Sequence, residues 1–383
     1  MIPKLLIVTE IIAPYRIPVF NALAQRPEID LHVLFLSEND PTLRQWRVYK
    51  EEIKFHYDVL PCWRQRFGRY NVLINRRVFS ALNKIGPDVV LCGGYNYLAS
   101  WELAFWTKVH GVPLLLWSES TASDQRRRHR VVEFMKERFL GMCEGFVVPG
   151  KASQRYLKDL GIAENRIITA PNAVDIRYFA TLAETTRRAE FKGCARLSLP
   201  SRFFLYVGRL VRAKGVFELA EAYSQLDGEI RAKVGLVFVG DGPDRAELME
   251  RTSRTAPGTV QYHGFVHREG LPEFYALADA LIFPTHSDTW GLVVNEAMSC
   301  GLPVIVTSVA GCGLDLVQDG WNGFVVPPGD SSQLATAMAR LAGSPERRME
   351  MGLRSRERIE AYSPAAWADG LVKAMELAGE RQR

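Results

Sequence analysis

ALIFPTHSDTWGLVVNEAMSCGLPVIVT (Ala280–Thr307) holds a β–loop–α–β passage in one stretch. ALIFP is a short apolar run closed by Pro284, the pattern of a buried strand. THSDTW is the polar loop at its carboxyl end. Gly291 opens a helical pattern whose first free N–H groups point back toward that loop. Gly301 and Pro303 stop the helix, and PVIVT returns as a second buried strand. Two acids stand out. Asp288 lies in the loop, where N-terminal helix charge accounts for it adequately. Glu296 lies in the second turn among Val293, Val294, Ala297 and Met298, and a solvated helix position accounts for it poorly. Such a site needs a ligand, and the rest of the chain is read for one.

The same alternation runs from end to end. In the first half, KLLIVTE, DLHVLFLSE, PDVVLCGGY, VPLLLWSE, EGFVVPG and RIITAP are strand patterns with helical segments between them. In the second half, FFLYVGRL, VGLVFVGDG, VQYHGFV, ALIFP, PVIVT and GFVVP repeat the series. Near-continuous apolar strands suit parallel sheets covered on both faces. The chain of 383 residues, 47% hydrophobic, is too long for one ordinary core. The expected organisation is a first doubly wound α/β domain over 1–172, a segment over 173–199 that reads as a linker or, from about Thr181, as a peripheral helix, and a second such domain over 200–363. A fresh helix over 364–383 starts at Ser363-Pro364 and folds back on the first domain. In open α/β sheets ligands sit at the carboxyl ends of strands, so the loops after strands are the site candidates.

Composition narrows the class. No apolar run is long enough to span a bilayer, and MIPKLLIVTE is too short a stretch for a signal peptide. The six cysteines have no CxxC spacing and the seven histidines are scattered. The expectation is a reduced, cytoplasmic protein without a metal. Residues 1–172 carry 24 Lys+Arg against 17 Asp+Glu, whereas the remainder carries 24 against 26. Two basic runs stand out, Arg64–Arg77 with Trp63, Phe67 and Tyr70 interleaved, and Arg126–Arg130. One reading is a solvated face; the other is attraction to anionic lipid, as a peripheral protein on the inner face of the membrane, or to a phosphate-bearing acceptor. No nucleic-acid module accompanies the charge.

YVGRLVRAKG (Tyr206–Gly215) follows the first strand of the second domain. Gly208, Arg209 and Lys214 give it a glycine-bounded loop with two cations before a helix, suited to a phosphate group or to an ordinary basic surface loop. VGDGP (Val239–Pro243) lacks the third glycine of the dinucleotide fingerprint, which disfavours an NAD enzyme.

PNAVD (Pro171–Asp175), VGRLVRAKG, VGDGP, HGFV, SDTWGLVVNEAMSCGLPVIVT and AGCGLDLVQDGWNGFVVPPGD, in this order, resemble the GT-B glycosyltransferases of family 4. The motifs fall between Pro171 and Ser363. The resemblance implies two facing Rossmann-like domains and transfer of a sugar from a nucleotide-sugar donor with retention, without a metal or other cofactor. It implies that Arg209 and Lys214 hold the donor diphosphate and that Glu296 binds the ribose. It further implies that Asp288, Thr289, Trp290, Gly291 and Leu292 hold the donor sugar and phosphate, with Val266 beside the base. A uridine donor is expected before a guanosine one. The acceptor is expected to be a glycan or a lipid-linked glycan of envelope or exopolysaccharide assembly.

Two departures matter. The first of the family's paired acids is usually Glu, and Asp288 is one methylene, about 1.5 Å, shorter. The loop after the first strand is IIAPYRIP rather than glycine-rich, so Tyr15 and Arg16 are the acceptor-side candidates. A family histidine of the first domain has no clear match; Glu119 of LLLWSEST stands near its place and is the remaining catalytic candidate. Rival readings are an epimerase or phosphorylase of this layout, or a catalytically silent glycan-binding subunit.

Overall fold

Strands with apolar residues at nearly every position form two fully covered parallel sheets. The computed structural model describes residues 2–40, 46–67, 70–123, 130–188 and 196–380. It divides into two units, one of residues 1–120, 126–174 and 364–383, the other of 121–125 and 175–363.

In the first unit, β1 (Lys4–Thr9), β2 (Asp30–Phe35), β3 (His56–Val59), β6 (Val89–Cys92), β7 (Leu114–Trp117), β8 (Gly145–Val148) and β9 (Ile167–Thr169) form a sheet ordered β3-β2-β1-β6-β7-β8-β9. The period of two splits each strand between two cores. Leu5 and Ile7 pack with the helix Ile17–Ala24 and with the helix Pro364–Glu380, through Trp367 and Leu371. Leu6 and Val8 pack on the other face with the helices Val78–Ile85, Leu98–His110 and Arg130–Leu140. The C-terminal helix therefore completes the first unit's core.

The second unit holds β10 (Phe203–Val207), β11 (Gly235–Val239), β12 (Val260–Tyr262), β13 (Ala280–Phe283), β14 (Val304–Thr307) and β15 (Gly323–Val326), ordered β12-β11-β10-β13-β14-β15. Strand order reverses between β1 and β6 in one sheet and between β10 and β13 in the other. Those are the two switch points where crevices open at strand carboxyl ends.

The structure narrows two of the readings. Of the segment read as a linker or a peripheral helix, Ile176–Arg188 is a helix, built into the second unit. Phe179 and Ala183 bury one stripe of it, and the Arg187 guanidinium donates to the carbonyl oxygens of Ala276 (3.1 Å) and Cys300 (2.6 Å). The basic run Arg64–Arg77 is largely an antiparallel hairpin of β4 (Cys62–Phe67) and β5 (Tyr70–Asn75). Arg64 points inward and its guanidinium pairs with Asp40 (2.5 Å) and Glu10 (3.2 Å). Its charge is spent on those carboxylates, so it is not a membrane-facing cation. Arg126, Arg127 and Arg128 lie outside the described residues; Arg130 is described and exposed.

Candidate functional site

The loops after β10 and β13 meet at the second sheet's switch point. Gly215 has φ 70°, and a Cβ there would stand 1.9 Å from the Pro284 carbonyl oxygen. Only glycine lets the two loops touch so closely. The Ala213 carbonyl oxygen accepts from the His286 N–H at 3.0 Å, which locks the pair. This close approach brings Lys214 to the other loop. Its ammonium donates to the Asp288 carboxylate at 2.5 Å and to the Ser287 carbonyl oxygen at 3.0 Å. The other Asp288 oxygen accepts from the Trp290 N–H at 3.1 Å. Asp288 thus serves as counter-ion to Lys214 and as a loop cap together.

Arg209 is exposed on the β10 loop, and its guanidinium makes no ion pair or hydrogen bond among the described residues. Its backbone is fixed: the Tyr206 hydroxyl, from inside the core, donates to the Arg209 carbonyl oxygen at 2.8 Å. Arg212, between the two cations, is taken up by Glu247.

Gly291 caps the helix Leu292–Ser299 at φ 103°, and a Cβ there would meet the Phe283 ring at 2.7 Å. No side chain caps this end; the Val294 N–H turns back to the Gly291 carbonyl oxygen, and the N–H groups of Leu292 and Val293 remain for a ligand. Trp290 contributes backbone only. Its side chain is buried, with the indole N–H donating to Asn295 Oδ1 at 2.8 Å. The Thr289 loop is pinned from below, where the Gly311 N–H donates to the Asp288 carbonyl oxygen and the Cys312 N–H to that of Trp290.

Glu296 is partly buried, and the Tyr275 hydroxyl donates to its Oε2 at 2.7 Å. Desolvation raises its pKa to about 7, against the opposing pull of the Tyr275 hydrogen bond and the Arg268 charge. Tyr275 was not singled out in the sequence; a tyrosine in LPEFYAL has no spacing signal, and only the fold shows its hydroxyl meeting a carboxyl. Val266 lies half-buried in the loop after β12.

In the first unit the sequence-chosen residues Arg16 and Glu119 come together. The Arg16 guanidinium stacks over the Trp117 ring at 3.8 Å and pairs with the Glu119 carboxylate. Asn172, of PNAVD, completes the cluster: its Nδ2 donates to Glu119 at 3.2 Å and its Oδ1 accepts from Arg16 at 3.3 Å. Tyr15 lies at the edge of this cluster, with the Arg16 guanidinium 5.4 Å from its ring centroid and its ring edge-on to Trp46. Glu119 is therefore a compensated carboxylate that fixes a cation.

A family model for "Glycosyl transferases group 1" matches residues 190–358, and one for "Glycosyltransferase Family 4" matches residues 20–178. The chain is 29% identical over 267 residues to the alpha-D-kanosaminyltransferase of Streptomyces kanamyceticus, covering 67% of this chain and 66% of that protein. It is 27% identical to the O-antigen chain mannosyltransferase C of Escherichia coli, covering 62% and 61%. The match thus spans somewhat under two thirds of these relatives' length. Among solved structures, Anabaena HepE in complex with UDP superposes with a TM-score of 0.76 at 17% identity, covering 97% of this chain and 99% of that one. At that identity the likeness speaks for the fold. Together with the two parallel sheets and the motif-bearing loops, these matches establish that the chain belongs to the GT-B glycosyltransferases of family 4.

Proposed function

We propose that this protein transfers a sugar from a nucleotide-sugar donor to a glycan or lipid-linked acceptor, with retention at the anomeric carbon and without a metal. The observation that carries this is the convergence of Lys214, Arg209 and the uncapped N-terminus at Gly291 on the β10–β13 switch point. The chemical difficulty is the departure of a nucleoside diphosphate, which gathers negative charge as the glycosidic C–O bond breaks. Two cations and a helix N-terminus supply fixed stabilisation of that charge in place of a metal. The acceptor hydroxyl attacks the face the diphosphate leaves, and the departing phosphate oxygen takes its proton. No protein nucleophile is needed.

Within this reading, Lys214 exchanges its internal partner, Asp288, for the donor phosphate, and Asp288 turns to sugar hydroxyls. Glu296, steadied by Tyr275, accepts from the ribose. Arg16, held by Glu119 and Asn172, is the acceptor-side cation. UDP is the first choice of nucleotide, supported by the UDP complex of the structurally similar HepE. The similarity to an O-antigen chain mannosyltransferase supports an envelope glycan as the product.

Nucleoside diphosphate release is the test. It should require a nucleotide sugar, rise when acceptor is added and persist in chelator. Release that follows phosphate rather than acceptor would make the protein a phosphorylase. Binding without release would make it a silent subunit, and loss in chelator restored by a divalent ion would overturn the metal-free mechanism.

A further inference from the structure

The helix Arg130–Leu140 buries Phe139 and Leu140 at its end, but its first two turns are turned inside out. Lys136 is buried, with 8% of its side chain exposed, and donates to Glu133 and to the Tyr156 hydroxyl. Val131 and Phe134 stand outside at 70% and 57% exposure, with Val132 and Met135 beside them. A helix that buries a lysine and exposes four large apolar residues is not shaped by water alone.

Its neighbour repeats the pattern. The helix Leu98–His110 buries Leu103 and Trp106 in the core, yet its outer stripe is Leu98, Phe105 and Val109, all exposed. Phe79, from the helix Val78–Ile85, lies edge-on to Phe105 with ring centroids 6.4 Å apart. Trp101 and Phe139 pack at 5.2 Å and join the two longer helices. All three helices cover the same face of the first sheet, and Leu73 of the β4–β5 hairpin packs in the same core. The hairpin itself turns Trp63 and Ile74 outward. One layer of the first unit thus has an apolar outer side.

That layer is also the basic part of the chain. Residues 61–140, the stretch of sequence in which the hairpin and the three helices fall, carry 13 Lys+Arg against 6 Asp+Glu. The rest of 1–172 is balanced, with 11 against 11. Among the described residues Arg76, Arg77, Lys108, Arg130 and Arg138 are exposed here. Glu102 and Glu137 are the acids on the outer sides of the two longer helices, and Glu133 is engaged by Lys136.

We propose that this layer docks on an anionic lipid bilayer, with the apolar stripes entering the headgroup region and the surrounding cations meeting lipid phosphates. The charge selects the occupant. A second copy of the chain would bring the same positive excess against itself, whereas an anionic membrane complements it. Trp63 suits the interface, with an apolar ring and a polar N–H. The inference rests on the transferase reading only for its purpose, which is to bring the enzyme to a lipid-linked acceptor; the docking itself does not depend on activity.

The test uses the full chain without substrate, against vesicles of phosphatidylcholine alone and of phosphatidylcholine mixed with phosphatidylglycerol. Wild type should sediment with the mixed vesicles, less at high salt, and the Trp63 contribution to the emission, found by difference with Trp63→Phe, should shift to the blue. Phe105→Ser with Phe134→Ser should weaken partition about tenfold or more, because two rings no longer leave water. Both side chains are exposed, so the melting temperature should hold. Should it fall, Val131→Ser with Val132→Ser repeats the test on one helix. Arg130→Ser with Arg138→Ser should lower binding to the mixed vesicles only. Unchanged partition in folded apolar variants would overturn the proposal. So would a wild-type dimer that these substitutions dissociate and that ignores vesicles. Transfer to a water-soluble acceptor, read on the same samples, separates this failure from failure of the transferase reading.

Discussion

Asp288 faces two ways, and its substitution separates the roles of its neighbours. Its carboxylate neutralises Lys214 and caps the Trp290 N–H. Asp288→Asn removes a negative charge from beside the proposed diphosphate position while keeping an oxygen for the cap. Calorimetry should show the bare nucleoside diphosphate bound as well as before or a few-fold tighter, and the intact donor turned over more slowly. Equal weakening of both ligands would mean that the acid supports the loop and does not read the sugar. Glu296 gives a pH signature. Its folded pKa of about 7 lies above the ordinary carboxyl value of 4.5. Between those values the folded protein holds a proton that the unfolded chain releases, so this group's contribution to stability falls as pH rises through the window. Ligand binding runs the other way. Ribose hydroxyls donate to the ionised form, so donor affinity should rise with pH up to about 7 and level off above it. A nucleotide sugar is the ligand to use, since a free terminal phosphate titrates in the same range. Glu296→Gln should flatten the profile; a profile unchanged by the substitution would remove Glu296 from the site.

The strand–loop–helix passage from Ala280 to Ser299 was readable because its apolar run, polar loop and helical spacing each have a local cause. Lys214 and Asp288, 74 residues apart, could be nominated separately but not paired. Their contact depends on Gly215, where an added Cβ would stand 1.9 Å from the Pro284 carbonyl oxygen, and sequence spacing does not encode that. The same limit hid Tyr275, and it hid Arg64, whose basic neighbourhood suggested a surface although two carboxylates draw it inward. The helix in the segment read as a linker or a peripheral helix was obscured because only Phe179 and Ala183 mark its buried stripe. At this scale Gly291→Ala is the sharpest probe. The left-handed φ of 103° and the Phe283 ring 2.7 Å away both resist a Cβ. The variant should lose about 1–3 kcal/mol of stability in denaturant titration. It should also lose nucleotide affinity, because the helix N-terminus moves. Full stability with full affinity would show that the loop is not held as described.

Across the whole chain, the two units divide the labour of core and site. The C-terminal helix belongs to the first unit's core, where Trp367 is fully buried against Phe20 and Trp117. Trp367→Ala should cost about 3–5 kcal/mol by the cavity it leaves. The loss should appear in the first unit's melting while nucleotide still stabilises the second; a single transition that loses nucleotide binding would show the units to be one folding unit. The central claim is that the switch point of the second unit is a diphosphate site built on Lys214. Calorimetric titration of UDP, GDP and their sugar conjugates into wild type and Lys214→Ala tests it most directly. One nucleotide series should bind wild type, and Lys214→Ala should weaken its diphosphate and its conjugate alike by about tenfold to a hundredfold, the scale of one hydrogen bond to a charged group. Equal affinity in the two proteins, with both folded, would contradict it.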